Sequence, residues 1–167
     1  MEILFKNTYK QTEEWIREVN KYTFFRKPMT LLSHVLCSLL FVGGVYKAVA
    51  FNEINYIYLF LPFFWFLMFL RIALTINNTQ IKRMKEAQLL DKSVCTEVFQ
   101  DEISYKNEKG AEYKIAYADI KFAIETPSYI LIQTKARLVY SIYRYGFEVG
   151  HVDDFMAFLK DKGVKIK

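Results

Sequence analysis

The side chains in this chain that could do chemistry are few, and their spacing brings no catalytic set together. His34 lies in a long apolar stretch, whereas His151 stands just before a polar helix pattern. The two histidines therefore cannot meet in a histidine-based triad or in most metal hydrolase sites. Asp153 and Asp154 are adjacent acids at the start of that helix pattern, where capping and the helix dipole account for them.

Metal and cofactor sites are not predicted either. His34 and Cys37 are three residues apart on one helix face, a spacing that could hold a metal but lacks a further ligand on the next apolar segment. We expect these side chains to face a partner helix instead. None of the six glycines forms a GxGxxG or GxxxxGK phosphate loop. The sequence predicts no catalytic residue, no cofactor and no metal, and thus a protein that is not an enzyme.

The basic residues are placed as in a membrane protein. The formal net charge is +5, which by itself could suggest a nucleic-acid partner. No nucleic-acid-binding motif accompanies the charge, so we expect no such partner. Many cations instead flank an apolar block, with Arg17, Lys21, Arg26 and Lys27 before it and Lys82, Arg83 and Lys85 after it.

Two apolar stretches predict membrane-spanning helices. Residues 29–51 and 54–76 are each long enough to cross a hydrocarbon core of about 30 Å as a helix. Only Asn52 and Glu53 separate them, which allows a tight turn and no more. The sequence therefore predicts a transmembrane hairpin over residues 29–76, whose two ends emerge on the same side of the bilayer.

The flanking cations predict the orientation of this hairpin. Cations gather outside its open end, so that end and both termini are expected in the cytoplasm. Arg71 then lies near the inner boundary, where its long stem can extend to the headgroups, and Lys47 lies at the outer boundary. We interpret both as topology markers, with an intramembrane role for Arg71 as the alternative. The prediction is a multi-pass protein of the cytoplasmic membrane, with the lipid bilayer as its first partner.

Short segments flank the hairpin. Residues 1–28 predict a strand over MEILFK and an amphipathic helix that begins at a Thr12 cap. Residues 77–92 predict a helical connector, since they contain neither Gly nor Pro. The apolar face of the amphipathic helix is expected at Trp15, Val19 and Tyr22.

Residues 93–167 predict a cytoplasmic β domain. Short runs of β-branched and aromatic residues alternate with turn signals, which predicts an antiparallel meander. A final helix pattern begins with a cap near Asp153 and stops at Gly163. The predicted fold class is α+β, with a barrel or meander closed by a C-terminal helix, and we expect this part to fold alone. The six predicted strands are SVCTEVF, EISYK, AEYKIAY, IKFAIET, YILIQT and LVYSIY.

Several residues, together with this order of elements, point to a family resemblance. They are 99–103, Tyr117, Asp119, Ile120, 125–129, Phe147, Phe155, Phe158 and Leu159. On these residues the chain resembles the YcxB-like family of bacterial membrane proteins. The resemblance covers nearly the whole chain, but the sequence departs from it at YRYGF, before the last helix. It implies a two-span anchor with a cytoplasmic domain similar to the pleckstrin-homology (PH) fold, and it supplies no catalytic residue.

The predicted function is a membrane-tethered protein-interaction, lipid-interaction or regulatory module. A protein partner or a second copy of the chain would be its further partner. The alternative is a small transport or channel subunit built from oligomerised hairpins, although neither span shows a polar face beyond Ser33, His34 and Ser38.

Basic residues in two hairpins of the β domain form the candidate ligand surface. Domains of the PH-like type present loops and a curved sheet to peptides or lipid headgroups. The alternative is an ordinary solvated surface. The candidates are Lys106 and Lys109 in one hairpin and Lys135, Arg137 and Arg144 around another.

Overall fold

The chain folds as two compact units. The computed structural model describes residues 2–25, 28–52 and 54–167, without the side chains of residues 24, 25, 28, 29 and 59. One unit, here called the β unit, combines Met1–Trp15 with Met84–Lys167. The other, the hairpin unit, is Ile16–Arg83. The N-terminal strand thus belongs to the same unit as the β-rich C-terminal part.

Two long helices dominate the hairpin unit, α2 (Pro28–Phe51) and α3 (Tyr56–Glu86). By length and composition both could cross a membrane, over Thr30–Phe51 and Tyr56–Glu86. Only 6% of the apolar window in each is buried. The predicted pair of long apolar helices is confirmed.

The second helix is longer than the predicted span. α3 runs ten residues beyond Ile76 because no Gly or Pro follows, so the span and most of the connector form one helix. It continues through Pro62. Asn55 caps its start, with Oδ1 accepting the N–H of Ile57 at 3.1 Å. The expectations on Arg26, Lys27 and Glu53 lie outside the described residues.

The amphipathic helix forms, but with a different buried face. α1 (Glu13–Asn20) follows the predicted Thr12 cap, whose Oγ1 accepts the N–H of Trp15 at 3.2 Å. A π-helical turn, Lys21–Phe25, comes next. The buried side chains are Ile16 and Asn20, in place of the predicted Trp15, Val19 and Tyr22.

A five-stranded antiparallel sheet, sheet A, has the strand order β4, β3, β2, β1, β8. β1 lies between β2 and β8, so the first strand of the chain is interior to the sheet. The strand bounds are β1 (Phe5–Lys10), β2 (Ser93–Val98), β3 (Glu102–Asn107), β4 (Glu112–Ala116) and β8 (Phe147–Val149).

A three-stranded antiparallel sheet, sheet B, consists of β5 (Ile120–Glu125), β6 (Tyr129–Thr134) and β7 (Val139–Tyr143). The six strands predicted after residue 92 are β2 to β7. They do not close into a barrel, because a 3₁₀ turn at Tyr117–Asp119 redirects the chain between β4 and β5, which are not paired. The barrel expectation is therefore wrong, and the architecture is α+β with two antiparallel sheets.

The N-terminal strand is displaced from its predicted position at residues 1–6. β1 covers Phe5–Lys10, and Phe5, Asn7 and Tyr9 are its buried residues. Asn7 is polar although it faces inward, so the sequence of β1 lacks the apolar alternation by which a strand is recognised. Asn7 is satisfied there because Nδ2 donates to the Tyr143 carbonyl at 2.7 Å and Oδ1 accepts the Tyr143 N–H at 3.2 Å. This side chain joins sheet A to sheet B, so residues 93–167 alone lack both a central strand and this link.

The C-terminal helix α4 (Val152–Asp161) completes the core of the β unit. Phe155 is fully buried, with its ring 5.5 Å from Phe5 and 5.7 Å from Phe147. The N-cap is His151 and not the predicted Asp153, which lies in the first turn. Gly163, with φ of 77°, ends the helix region as predicted, since a left-handed residue is needed there.

Candidate functional site

A cavity of about 300 Å³ lies in the β unit beside β7, one of the two edge strands of sheet B. Its lining is mainly aromatic and aliphatic, and we call it the aromatic pocket. β1, α1, β3, β4 and β7 all contribute side chains to it. The residues that define it here are Tyr9, Trp15, Tyr105, Tyr113, Tyr140 and Ser141.

Strand register explains why tyrosines gather at this place. Tyr105 of β3 lies opposite Thr96 of β2 on one side and Tyr113 of β4 on the other. Side chains of directly opposed residues project from the same face of a sheet, so one row carries three hydroxyls. β7 then adds Tyr140, whose ring centroid is 4.6 Å from that of Tyr105.

Polar atoms on one wall of the pocket bond to each other. The Trp15 indole N–H donates to Ser141 Oγ at 2.6 Å, and Tyr9 Oη lies 2.6 Å from the same Ser141 oxygen. An indole N–H can only donate, so the Ser141 hydroxyl oxygen accepts from Trp15. The Ser141 and Tyr9 hydroxyls form a second hydrogen bond, in which either can be the donor. Burial raises the pKa of the Tyr9 phenol well above its usual range, so this wall is uncharged.

Two further hydroxyls are enclosed without a well-formed bond. Thr96 Oγ1 and Tyr105 Oη have no hydrogen-bond partner in the described part of the chain, although they lie on opposed residues. Tyr105 is only 4% exposed. Burial raises the pKa of its phenol well above the usual value. The Tyr105 phenol is therefore neutral.

The outer wall of the pocket is polar but has no unbalanced cation. Lys106 borders the pocket, yet its ammonium is 2.6 Å from Glu97 Oε2 and 3.8 Å from Glu112 Oε1. Tyr113 is exposed and Tyr140 half-buried. Burial, followed by the nearby Tyr113, raises the pKa of Tyr140. Two tyrosines and a paired lysine thus form this side of the pocket.

The first hairpin of the candidate ligand surface has its cations engaged. The Lys106 ammonium is paired as described, and its hydrogen bond to Glu97 raises the pKa of Lys106. Lys109 Nζ donates to the Ala87 carbonyl at 2.5 Å. The acids therefore balance the charge of Lys106, whereas Lys109 keeps its full charge with one N–H engaged by a carbonyl.

The second group does not form one patch. Lys135 and Arg137 are exposed in the turn between β6 and β7. Arg144 lies beyond the other end of β7 and pairs with Glu125. The structure therefore separates Arg144 from the two other cations by the length of that strand.

The residues singled out in the apolar helices have structural surroundings. The His34 Nδ1–H donates to the Thr30 carbonyl at 2.6 Å, and its ring lies 4.3 Å from Phe69 of α3. The expectation that His34 faces a partner helix is confirmed. Lys47 and Arg71 are exposed and form no ion pair with the residues that the structure describes.

The aromatic pocket was missed in the sequence because its walls are distant along the chain. Ser141 is 132 residues from Tyr9 and 126 residues from Trp15. The available signal was one tyrosine in each of two successive predicted strands, Tyr105 and Tyr113, which periodicity alone does not place opposite each other.

No protein-family model matches the chain, and no curated protein or solved structure is significantly similar to it. The function must therefore be inferred from the two units themselves.

Proposed function

We propose that the protein is a membrane-anchored binding or regulatory module and not an enzyme. The hairpin unit is its anchor in the cytoplasmic membrane, and the β unit is its cytoplasmic binding domain, with both termini on that side. The resemblance to YcxB-like proteins and their PH-like domains supports this arrangement. A protein, a lipid or a second copy of the chain would be the partner.

The exposure of the two apolar helices carries the anchoring part of the proposal. Large side chains along α2 and α3 have no protein cover, such as Val49 at 81% and Phe64 at 65% exposure. Exposed apolar area of this extent is unfavourable in water and marks contact with lipid or protein. A helix satisfies its own backbone hydrogen bonds, so it tolerates lipid on every side.

The aromatic pocket carries the binding part. A concave, mainly apolar cavity with a few polar groups is the usual form of a small-ligand site. Its described lining contains tyrosines, a serine and a tryptophan but no arrangement of nucleophile, base and orienting group. These side chains can hold a ligand by stacking and hydrogen bonding.

Orientation can be tested by cysteine labelling in intact cells. In a Cys37→Ser, Cys95→Ser background, Asn52→Cys should react with a membrane-impermeant maleimide added outside. Asp161→Cys, at the exposed end of α4, should react only after the cells are opened. The reverse pattern would contradict the proposed orientation.

Binding can be tested by photo-crosslinking in native membranes. A benzoylphenylalanine placed at Tyr113, which is exposed at the pocket, should give one dominant adduct whose mass identifies it as lipid, protein or small molecule. The matched control places the same group at Tyr145, which is 75% exposed and does not line the pocket. Equal adduct patterns at both positions would count against a pocket-specific partner.

A further inference from the structure

The size of the aromatic pocket limits its ligand to a small molecule. A dry cavity of about 150 Å³ suffices to bind benzene, and the usual small-ligand sites begin at about 300 Å³. The pocket, at about 300 Å³, has room for one substituted ring system. It is small for a nucleotide or for a complete phospholipid.

The walls favour an aromatic ring in the ligand. Tyr105 and Tyr140 present rings at a 4.6 Å centroid distance and a 38° interplanar angle, and Trp15 lies beside Tyr9 at 6.4 Å. Aromatic pairs at such offsets gain energy beyond the burial of their surface. The polar atoms of Trp15 and Tyr9 already form hydrogen bonds with Ser141, so this wall offers a ligand mainly aromatic ring surface.

The charge balance disfavours an ion. Lys106 is the only ionic side chain among the described residues that line the pocket, and its ammonium donates a hydrogen bond to the Glu97 carboxylate. A charged ligand would lose its hydration without gaining a free counter-charge. A cation would also face the Lys106 charge, although aromatic faces attract cations.

Two phenols can recognise a neutral polar substituent. Tyr113 and Tyr140 both line the pocket, and no hydrogen bond joins either hydroxyl to another residue that the structure describes. A phenol can both donate and accept, which matches an alcohol or an amide group. We propose that the aromatic pocket binds a small, uncharged arene that carries a hydroxyl or amide group. This rests on the binding role proposed above and is independent of the membrane anchor.

The test uses Trp15 as the reporter in the purified full-length protein in detergent. The chain has two tryptophans, so Trp65→Phe leaves Trp15 as the only one. Benzyl alcohol, benzoate and benzylammonium share a ring and differ in charge. Tryptophan is excited at the red edge of its absorption, where all three probes are transparent. Benzyl alcohol should change the Trp15 emission saturably, with at least about tenfold higher affinity than either ion.

Matched substitutions separate pocket binding from partition into micelles. Val139→Phe fills the pocket, whereas Val149→Phe makes the same change at an exposed strand position that does not line it. The first should weaken benzyl alcohol binding by about tenfold or more and the second by less than about twofold. Tyr113→Ala, at an exposed position, gives a second weakening variant if Val139→Phe impairs folding.

Each outcome decides a separate point. An unsaturable response that is equal in all variants would overturn the pocket as a ligand site. Benzoate or benzylammonium binding as tightly as benzyl alcohol would overturn the uncharged class. A specific Tyr113 photo-adduct without any benzyl alcohol binding would overturn the ligand proposed here and leave the binding role in place.

Discussion

The β unit and the hairpin unit use their apolar side chains in opposite ways. In the β unit, Ile103, Ile130 and Phe155 are fully buried, whereas Val49 and Phe64 of the hairpin helices lie mostly exposed. A sheet needs neighbours for its backbone hydrogen bonds and its apolar face, while an apolar helix needs only an apolar solvent. The β unit therefore has its own core, whereas the hairpin helices leave most of their apolar surface exposed.

The largest expected effect concerns the extent of the β unit. Residues 93–167 should not fold alone, because they lack β1 between β2 and β8. A chain that joins residues 1–15 to residues 84–167 through about eight Gly and Ser residues should fold. The two ends to be joined lie close together, because Lys85 Nζ is 2.8 Å from Glu13 Oε1, so such a linker spans the gap. Dispersion of amide proton shifts measures both. A folded 93–167 fragment would contradict the role given to β1.

The next largest effect is expected when a buried ring is removed from the core of the β unit. Phe155→Ala should lower the free energy of unfolding of the linked β unit by about 3 to 5 kcal/mol, because it removes a fully buried ring between Phe5 and Phe147. Denaturant unfolding followed by near-ultraviolet circular dichroism measures this. In the full-length chain, the matched change Phe64→Ala on exposed α3 should leave unfolding of the β unit unchanged. If both changes lowered the free energy of unfolding of the β unit equally, the contrast between a packed β unit and exposed hairpin helices would be wrong.

A smaller loss is expected at the link between the sheets. Asn7→Ala should lower the free energy of unfolding by about 1 to 3 kcal/mol, since it removes the Asn7 partner of the Tyr143 N–H and leaves the Tyr143 carbonyl with the Gly146 N–H at 3.1 Å. Asn107→Ala is the control. It removes one bond, 2.9 Å from Oδ1 to the Ala111 N–H, in a half-buried turn, so its effect should be smaller. Chemical denaturation of both variants decides the order.

The smallest effect concerns the enclosed tyrosines. Burial raises the pKa of Tyr105, so the folded state holds the phenolic proton more tightly than the unfolded state. This contribution to stability is present below about pH 10 and is lost as the pH rises toward the raised value. In a spectrophotometric titration, Tyr105 should ionise only as the protein unfolds. Tyr105→Phe should remove one late-ionising group and change stability little, since the hydroxyl has no well-formed bond. Unchanged late ionisation would contradict this.

Local patterns made much of this fold predictable from the sequence. The strands β2 to β7 are short runs rich in β-branched and aromatic residues, bounded by turn residues such as Gly110, whose φ is 81°. The apolar lengths of α2 and α3 are equally local signals. The position of β1 was not predictable, because inward Asn7 is polar and is satisfied only by Tyr143, far along the chain. The three-residue strand β8 is too short to show a period.

The candidate site was less predictable than the fold. Clustered basic residues suggested a ligand-binding surface, but whether such residues pair with acids depends on strand register. Lys106, for example, lies opposite Cys95 and forms an ion pair with Glu97 on the same neighbouring strand. The aromatic pocket depends on the contact between Tyr105 of sheet A and Tyr140 of sheet B. No local spacing encodes a contact between two sheets.

Extraction of membranes with alkaline carbonate tests the division between the two units most directly. The full-length chain should stay in the membrane pellet, since α2 and α3 expose apolar surface that lipid would cover under the proposed anchoring role. The chain in which the linker replaces residues 16–83 should be found folded in the supernatant. Release of the full-length chain into the supernatant, or retention of the linked β unit in the pellet, would contradict the assignment of the anchor to the hairpin unit.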